Sequence, residues 1–166
     1  MEKLAVVSDC DRCAALCCIA YPSDDMPGFA ARKDAGEPCP KLDNCGRCTI
    51  YHRRREEGFA GCLEFECFGA GQHVTQALFA GVDWRDDPAL LPKMVQIFLA
   101  VRPAFDLLYL IEFARGQLAD TDALDTLERE LTTLVATREG VMDRRAIGAI
   151  EARLRPILAG LRKPGA

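Results

Sequence analysis

The chain has 166 residues, a formal net charge of −4, 49% hydrophobic residues and 28% charged residues. That length suits one compact domain or two small units sharing an interface, and the apolar content suffices for a packed core. The acidic balance argues against a general grip on nucleic acid, which needs an excess of Lys and Arg.

The opening Met1-Glu2-Lys3-Leu4-Ala5-Val6-Val7 offers an apolar run of only four residues. A signal-peptide core needs roughly 7–15. A cytoplasmic setting is therefore expected, in which thiols stay reduced. All nine cysteines then fall within the first 67 residues, at Cys10, Cys13, Cys17, Cys18, Cys39, Cys45, Cys48, Cys62 and Cys67. Thiols at such short spacings read as soft ligands for zinc or an iron–sulfur cluster before they read as disulfides, and the odd number points the same way.

If Cys10 to Cys18 forms a short helix, Cys13 and Cys17 lie about 60° and 20° from Cys10, and Cys18 about 80° away. Three thiols then share a face while Cys18 turns toward another metal or the core. In a loop, Cys10 and Cys13 alone could chelate one ion. Gly and Pro punctuate the next stretch of chain, at Tyr21-Pro22, Met26-Pro27-Gly28 and Pro38-Cys39-Pro40, so long regular elements are not expected there. A small loop-rich unit of this kind usually needs a staple, and a metal supplies one.

Cys45-Gly46-Arg47-Cys48 forms the second close pair. Its small residue should let the backbone turn and aim amides at the sulfurs. Arg53-Arg54-Arg55 is followed at once by Glu56-Glu57 and reads as a solvated face. His52 and His73 are secondary ligand candidates, His73 reading better as a helix-start residue. Glu64 and Glu66 flank Phe65 in the alternation of a half-exposed strand. Gly69-Ala70-Gly71-Gln72 lacks the full glycine pattern of a phosphate loop and reads as a tight turn into a helix.

Residues 72–166 read as helical. A first helix is expected from about His73 to Ala80, stopped by Gly81. A longer one spans Pro92 to Leu118, with Pro103 expected to kink or split it. Its segment from Met94 to Ala114 is the most apolar in the chain, yet contains Arg102, Asp106 and Glu112. A buried helix is therefore expected and not a membrane span. Asp120 or Thr121 can cap the next helix, whose Leu124, Leu127, Leu131, Leu134 and Val135 recur at helical spacing and which Gly140 should end. The last helix starts near Met142 or Asp143 and carries Ile147, Ile150, Leu154, Ile157 and Leu161. These two stripes should pair as an antiparallel hairpin around Arg138 to Val141. Their apolar surface implies an intramolecular core first, and a second copy or a protein partner second.

The run Cys10-x2-Cys13-x3-Cys17-Cys18, with Gly36-x2-Cys39-x2-Leu42, Cys48-Thr49-Ile50-Tyr51-His52-Arg53 and Cys62-x2-Phe65, resembles the YkgJ-type family, described as zinc- or iron-chelating and named for its CxxCxxCC run. The stretch from Gly58 to Thr75 also resembles a cysteine-rich module attached to some bacterial pentapeptide-repeat proteins. The likeness covers roughly residues 10–80. It implies Cys10, Cys13, Cys17, Cys18, Cys39, Cys48 and Cys62 as ligands, with Cys45 and Cys67 additional to the pattern. The first motif carries one extra residue before its cysteine pair, and no proline follows Arg53. Similar runs occur in a bacterial protein-lysine methylase, but no cofactor-binding domain for that reaction is recognisable here.

The expected protein is mainly α, with a cysteine-rich metal-binding module over residues 1–71 and a helical region over 72–166. Its nine cysteines hold an iron–sulfur cluster or zinc. The rival readings are an iron–sulfur redox protein or enzyme component, and a zinc module on nucleic acid, which the acidic charge disfavours.

Overall fold

The computed structural model describes residues 3–23 and 27–161. Met1, at the start of the apolar opening, and Met26 of the Met26-Pro27-Gly28 punctuation lie outside the described residues. The protein is mainly α. Among the described residues no strand forms, and one isolated antiparallel bridge joins Leu42 to Cys48. The helices are α1 (Cys17–Ala20), α2 (Gly61–Glu64), α3 (Ala70–His73), α4 (Leu91–Arg115), α5 (Asp122–Val135), α6 (Arg138–Val141) and α7 (Arg144–Gly160). Short 3₁₀ turns cover Cys10–Arg12, Tyr51–Arg53 and Pro88–Leu90.

The central element is α4. Pro88 to Arg115 is long and apolar enough to cross a membrane by length and composition. Its Met94, Ile97, Phe98, Val101, Phe105, Leu108 and Ile111 are nevertheless buried against other elements of the same chain, as in the core helix of a globular fold. Pro103 neither splits nor ends α4. Proline removes the N–H that would bond to the Leu99 carbonyl, and Leu99 is 40% exposed, so water can satisfy that oxygen.

The expected α5–α7 pair forms. Leu124, Leu127, Leu131 and Val135 of α5 and Ile147, Ile150 and Leu154 of α7 are buried in one core with α4. The apolar stripes are thus covered within the chain. Of the two candidate caps for α5, Asp120 supplies the carboxylate, which accepts from the Asp122 amide at 3.1 Å. Asp143 caps α7 by accepting from the Ala146 amide at 2.9 Å. Gly140 does not end α5, which stops at Val135. It lies within α6, where its amide donates to Thr137 Oγ1 at 3.0 Å. A Cβ there would overlap the Leu134 carbonyl oxygen, so the glycine permits a close approach of backbone.

The helix expected from His73 begins earlier, at Ala70, and widens over Val74–Leu78 into a π turn. The turn before it holds Gly69 at φ 91°, a left-handed conformation glycine adopts without strain. The expected strand around Phe65 does not form. Glu64 closes α2, and extended Phe65 instead packs its ring against Tyr21, centroids 5.2 Å apart. The core cluster also crosses residue 71, since Ala14, Leu16 and Ala20 pack with α4 and with Ala70 and Val74.

Candidate metal centre

Cys10 opens a 3₁₀ turn capped by Asp9, and the Cys13 amide donates to the Cys10 carbonyl at 3.3 Å. No continuous helix runs from Cys10 to Cys18, so of the two alternatives the chain takes the loop, and the helical face that would align Cys10, Cys13 and Cys17 does not form. The reason lies at Ala14, whose amide donates to Thr75 Oγ1 at 3.0 Å and whose carbonyl accepts from Trp84 Nε1 at 2.9 Å. Both backbone groups that a helix needs are engaged elsewhere. Ala15 then takes φ 56° and the chain reverses into α1.

Bonds distant in sequence join the first loop to the stretch from Glu66 to Gln76. The Ala70 amide donates to the Cys67 carbonyl at 2.9 Å, and a Cβ on Gly71 would come within 2.5 Å of Cys13 Sγ. Ser8 Oγ donates to Glu66 Oε1 and lies 2.9 Å from Cys67 Sγ. Gln72 accepts from the Asp9 amide at 2.5 Å and donates to the Val7 carbonyl at 2.9 Å, and Gln76 donates to the Arg12 carbonyl at 2.9 Å. The sequence assigns no hydrogen-bonding role to Ser8, Gln72, Thr75, Gln76 or Trp84. The available signal was the 3-1 spacing of Gln72, Thr75 and Gln76, one polar flank of a helical turn.

Cys18 has different partners. Its carbonyl accepts from the Cys39 amide at 3.1 Å, and the Leu42 amide donates to the Cys39 carbonyl at 3.0 Å. The Leu42–Cys48 bridge then brings in Cys48. Arg54 reaches from the following turn to donate to the Cys62 carbonyl at 3.2 Å while stacking 4.0 Å over the Tyr51 ring. Buried Lys33 donates to the Ile19 carbonyl at 3.0 Å, the Asp34 carbonyl at 3.2 Å and the Tyr21 carbonyl, fixing the end of α1.

The turn that carries Cys45 is built around Asp43. Asp43 Oδ1 accepts from the Cys45 amide at 2.9 Å and the Arg47 amide at 2.8 Å, so these amides are aimed at a carboxylate and not at sulfur. Gly46 takes φ 74°, and a Cβ there would overlap the Arg85 guanidinium. Exposed Cys45 faces a cleft of about 300 Å³ shared with Cys10, Cys13, Arg47, Thr75 and Arg85.

All nine cysteines are free thiols. Cys17 and Cys18 Sγ lie 3.9 Å apart, far beyond the roughly 2.05 Å of a disulfide. Burial pushes Cys13 up to about 12, with Cys67 and Cys10 adding to the rise. Burial likewise pushes Cys62 up to about 11, helped by Cys18, Cys39 and Cys48. Burial raises Cys10, with Cys67 and Cys18 next, and raises Cys39, with Cys18 and Cys48 as its thiol neighbours. Within the vicinal pair, the shared hydrogen bond to Cys18, together with burial, holds Cys17 high. The same bond, with Lys33 and Arg54 nearby, holds Cys18 below the ordinary thiol value despite its burial. Electropositive surroundings of that kind favour the thiolate.

The remaining candidates are occupied structurally. Arg53 pairs with Glu57 at 3.0 Å and Arg54 is bound into the cysteine loop, so the arginine run is not a uniform basic face. His73 Nε2 lies 2.8 Å from the Val135 carbonyl, and exposed His52 stands edge-on to Tyr51. Among the described residues, no three His, Cys, Asp or Glu side chains stand close enough together to hold a metal ion as placed. The loops bring the thiols into one neighbourhood without closing a ligand shell.

No family model matches the chain, and no solved structure does. A curated protein of Bacillus subtilis (strain 168), described as the uncharacterized protein YybG, is 39% identical over 107 residues. The match takes in 64% of this chain but only 38% of that relative's length.

Proposed function

We propose that the chain is a cytoplasmic metal-binding protein whose N-terminal thiols take up zinc or an iron–sulfur cluster. The observation that carries this reading is the joining of the Cys10 to Cys18 stretch to Cys39 and to Cys67 by hydrogen bonds distant in sequence, with local bonds tying in Cys48 and Cys62. Those bonds make thiols from across the first 67 residues electrostatic neighbours. Packing uncharged sulfur does not require that convergence, whereas ligation does.

The donor set fits a soft cation in chemistry, being entirely free thiol with Lys33 and Arg54 beside it. Bound zinc or iron would supply the positive charge that lets these sulfurs exist as buried thiolates. The resemblance to the YkgJ-type family points the same way, and the reduced cytoplasm keeps the ligands available.

Anaerobic purification followed by elemental analysis and a visible spectrum tests the proposal. The expected result is one or two zinc per chain, or about four iron with sulfide. A chain that carries no metal and takes none up under reducing conditions overturns it. Chelation of the bound metal should expose the loops around Cys39 and Cys48 to protease while α4, α5 and α7 keep their ellipticity, because metal and local folding are linked. A visible band that bleaches with dithionite would favour the redox reading over a colourless zinc protein.

A further inference from the structure

Resting on that reading, we infer that Lys33 is the charge-balancing residue of the metal site, its buried ammonium held beside Cys18 and Cys39 to offset the negative charge those sulfurs carry once a soft cation is bound.

Lys33 is the one buried charged side chain among the described residues, with 9% of its surface exposed. Its ammonium donates to the Ile19 carbonyl at 3.0 Å, to the Asp34 carbonyl at 3.2 Å and to the Tyr21 carbonyl. An ammonium has three donors, so all of them are spent on neutral acceptors and none is left for a carboxylate. The carbonyl dipoles satisfy its hydrogen bonds and leave its charge uncompensated. Holding such a charge out of water is costly unless an opposite charge stands close by. A neutral donor such as a glutamine amide can bond carbonyls without that cost. The positive charge itself therefore has a use.

The backbone places two cysteines around that ammonium. The Ile19 carbonyl that Lys33 bonds also accepts from the Gly36 amide at 2.9 Å, and the Cys18 carbonyl, one residue earlier, accepts from the Cys39 amide at 3.1 Å. The Ser23 amide donates to the Lys33 carbonyl at 3.0 Å, and the Ser23 hydroxyl donates to the Ala31 carbonyl at 2.7 Å. Both sides of Lys33 are thus stitched to the segment that runs on from α1. Burial lowers the pKa of the ammonium, and the groups that act against this are Cys39 and Cys18, ahead of Glu37 and Asp34. Neutral thiols give the cation nothing to balance. Thiolates on a divalent soft cation do, because a set of four outweighs its charge. Lys33 suits the loaded site and burdens the empty one. Lys41, by contrast, reaches Glu57 at 3.6 Å with 35% of its side chain exposed.

The test is titration of the metal-stripped, reduced full chain with Zn²⁺ against a competing chromophoric chelator, with the urea midpoint of each metal-free protein measured beside it. Lys33→Gln keeps N–H donors for the carbonyls and drops the charge. It should bind zinc about 10–100-fold more weakly than wild type, the range for a group that supports metal ligands. Lys33→Arg keeps the charge and should regain most of that loss, and Lys41→Gln should change nothing. A role in holding the loop alone predicts instead that affinity follows the urea midpoint and not the charge. Should the chain take up iron with sulfide in place of zinc, cluster occupancy is compared across the same variants. Wild-type affinity in Lys33→Gln, or equal losses in Lys33→Gln and Lys33→Arg, would overturn the inference while leaving metal binding intact. Should a variant lose the helical ellipticity of α4, α5 and α7, wild type decides the question. The pKa of Lys33 Nζ, followed by NMR, should rise on metal uptake, and an unchanged or lower value overturns the inference. No uptake of zinc or iron by wild type would overturn the proposed function, and the role of Lys33 with it.

Discussion

His73 stands half-buried at the end of α3, with its ring tilted against Phe105, centroids 5.2 Å apart, and its Nε2 at 2.8 Å from the Val135 carbonyl. Burial holds its pKa below the ordinary imidazole value, and the carbonyl only partly offsets this. The unfolded chain then binds the extra proton more readily. The contribution of His73 to stability is complete above about pH 6.5 and declines as pH falls through the unfolded pKa toward the lower folded one. The urea midpoint of wild type should therefore fall more between about pH 7.5 and about pH 5.5 than that of His73→Gln. Equal losses in both proteins would remove His73 as the source. In the sequence His73 reads as a helix-start residue, and the structure puts it inside the helical segment that begins at Ala70 and widens over Val74–Leu78. The shift arises because Gly69 starts the helix earlier, which a single glycine in a Gly-rich stretch does not announce.

At the scale of elements, the helices with strong apolar periodicity are visible in the sequence, and the cysteine loops are not. α5 and α7 follow from Leu124, Leu127, Leu131, Ile147, Ile150 and Leu154, because burial of one stripe dictates both the element and its partner. Pro103 misleads because its cost depends on whether the orphaned carbonyl meets water, which is a tertiary fact. Replacing it should show that cost. Pro103→Ala restores the hydrogen bond to Leu99, and denaturant unfolding should report a gain of about 1–3 kcal/mol. No gain would mean that the proline already sits without penalty. The path from Cys10 to Cys18 is illegible for a related reason. Its residues are compatible with a helix, and the competing partners, Thr75 and Trp84, lie more than 60 residues away.

At the scale of the whole molecule, a change of composition near residue 71 suggests two parts, but the core does not stop there. Leu16 and Ala20 from the cysteine-rich stretch are buried in the same cluster as Phe98, Leu131 and Leu154. Such sharing favours a single cooperative transition. Far-UV ellipticity and the alkylation of Cys13 should accordingly change at the same denaturant concentration, and a thiol transition well before loss of helix would contradict this. The candidate ligand residues are all legible, since cysteine spacing is a local property. Their grouping is not, because it depends on hydrogen bonds such as Cys39 to Cys18 that join turns with no shared periodicity.

Trp84 is the chain's single tryptophan, and its indole is tethered to the carbonyl of Ala14, next in sequence to the Cys13 sulfur. The protein thus carries an intrinsic fluorophore moored beside its thiols. Emission intensity and wavelength provide a label-free signal of any rearrangement in that loop, with no second indole to dilute it.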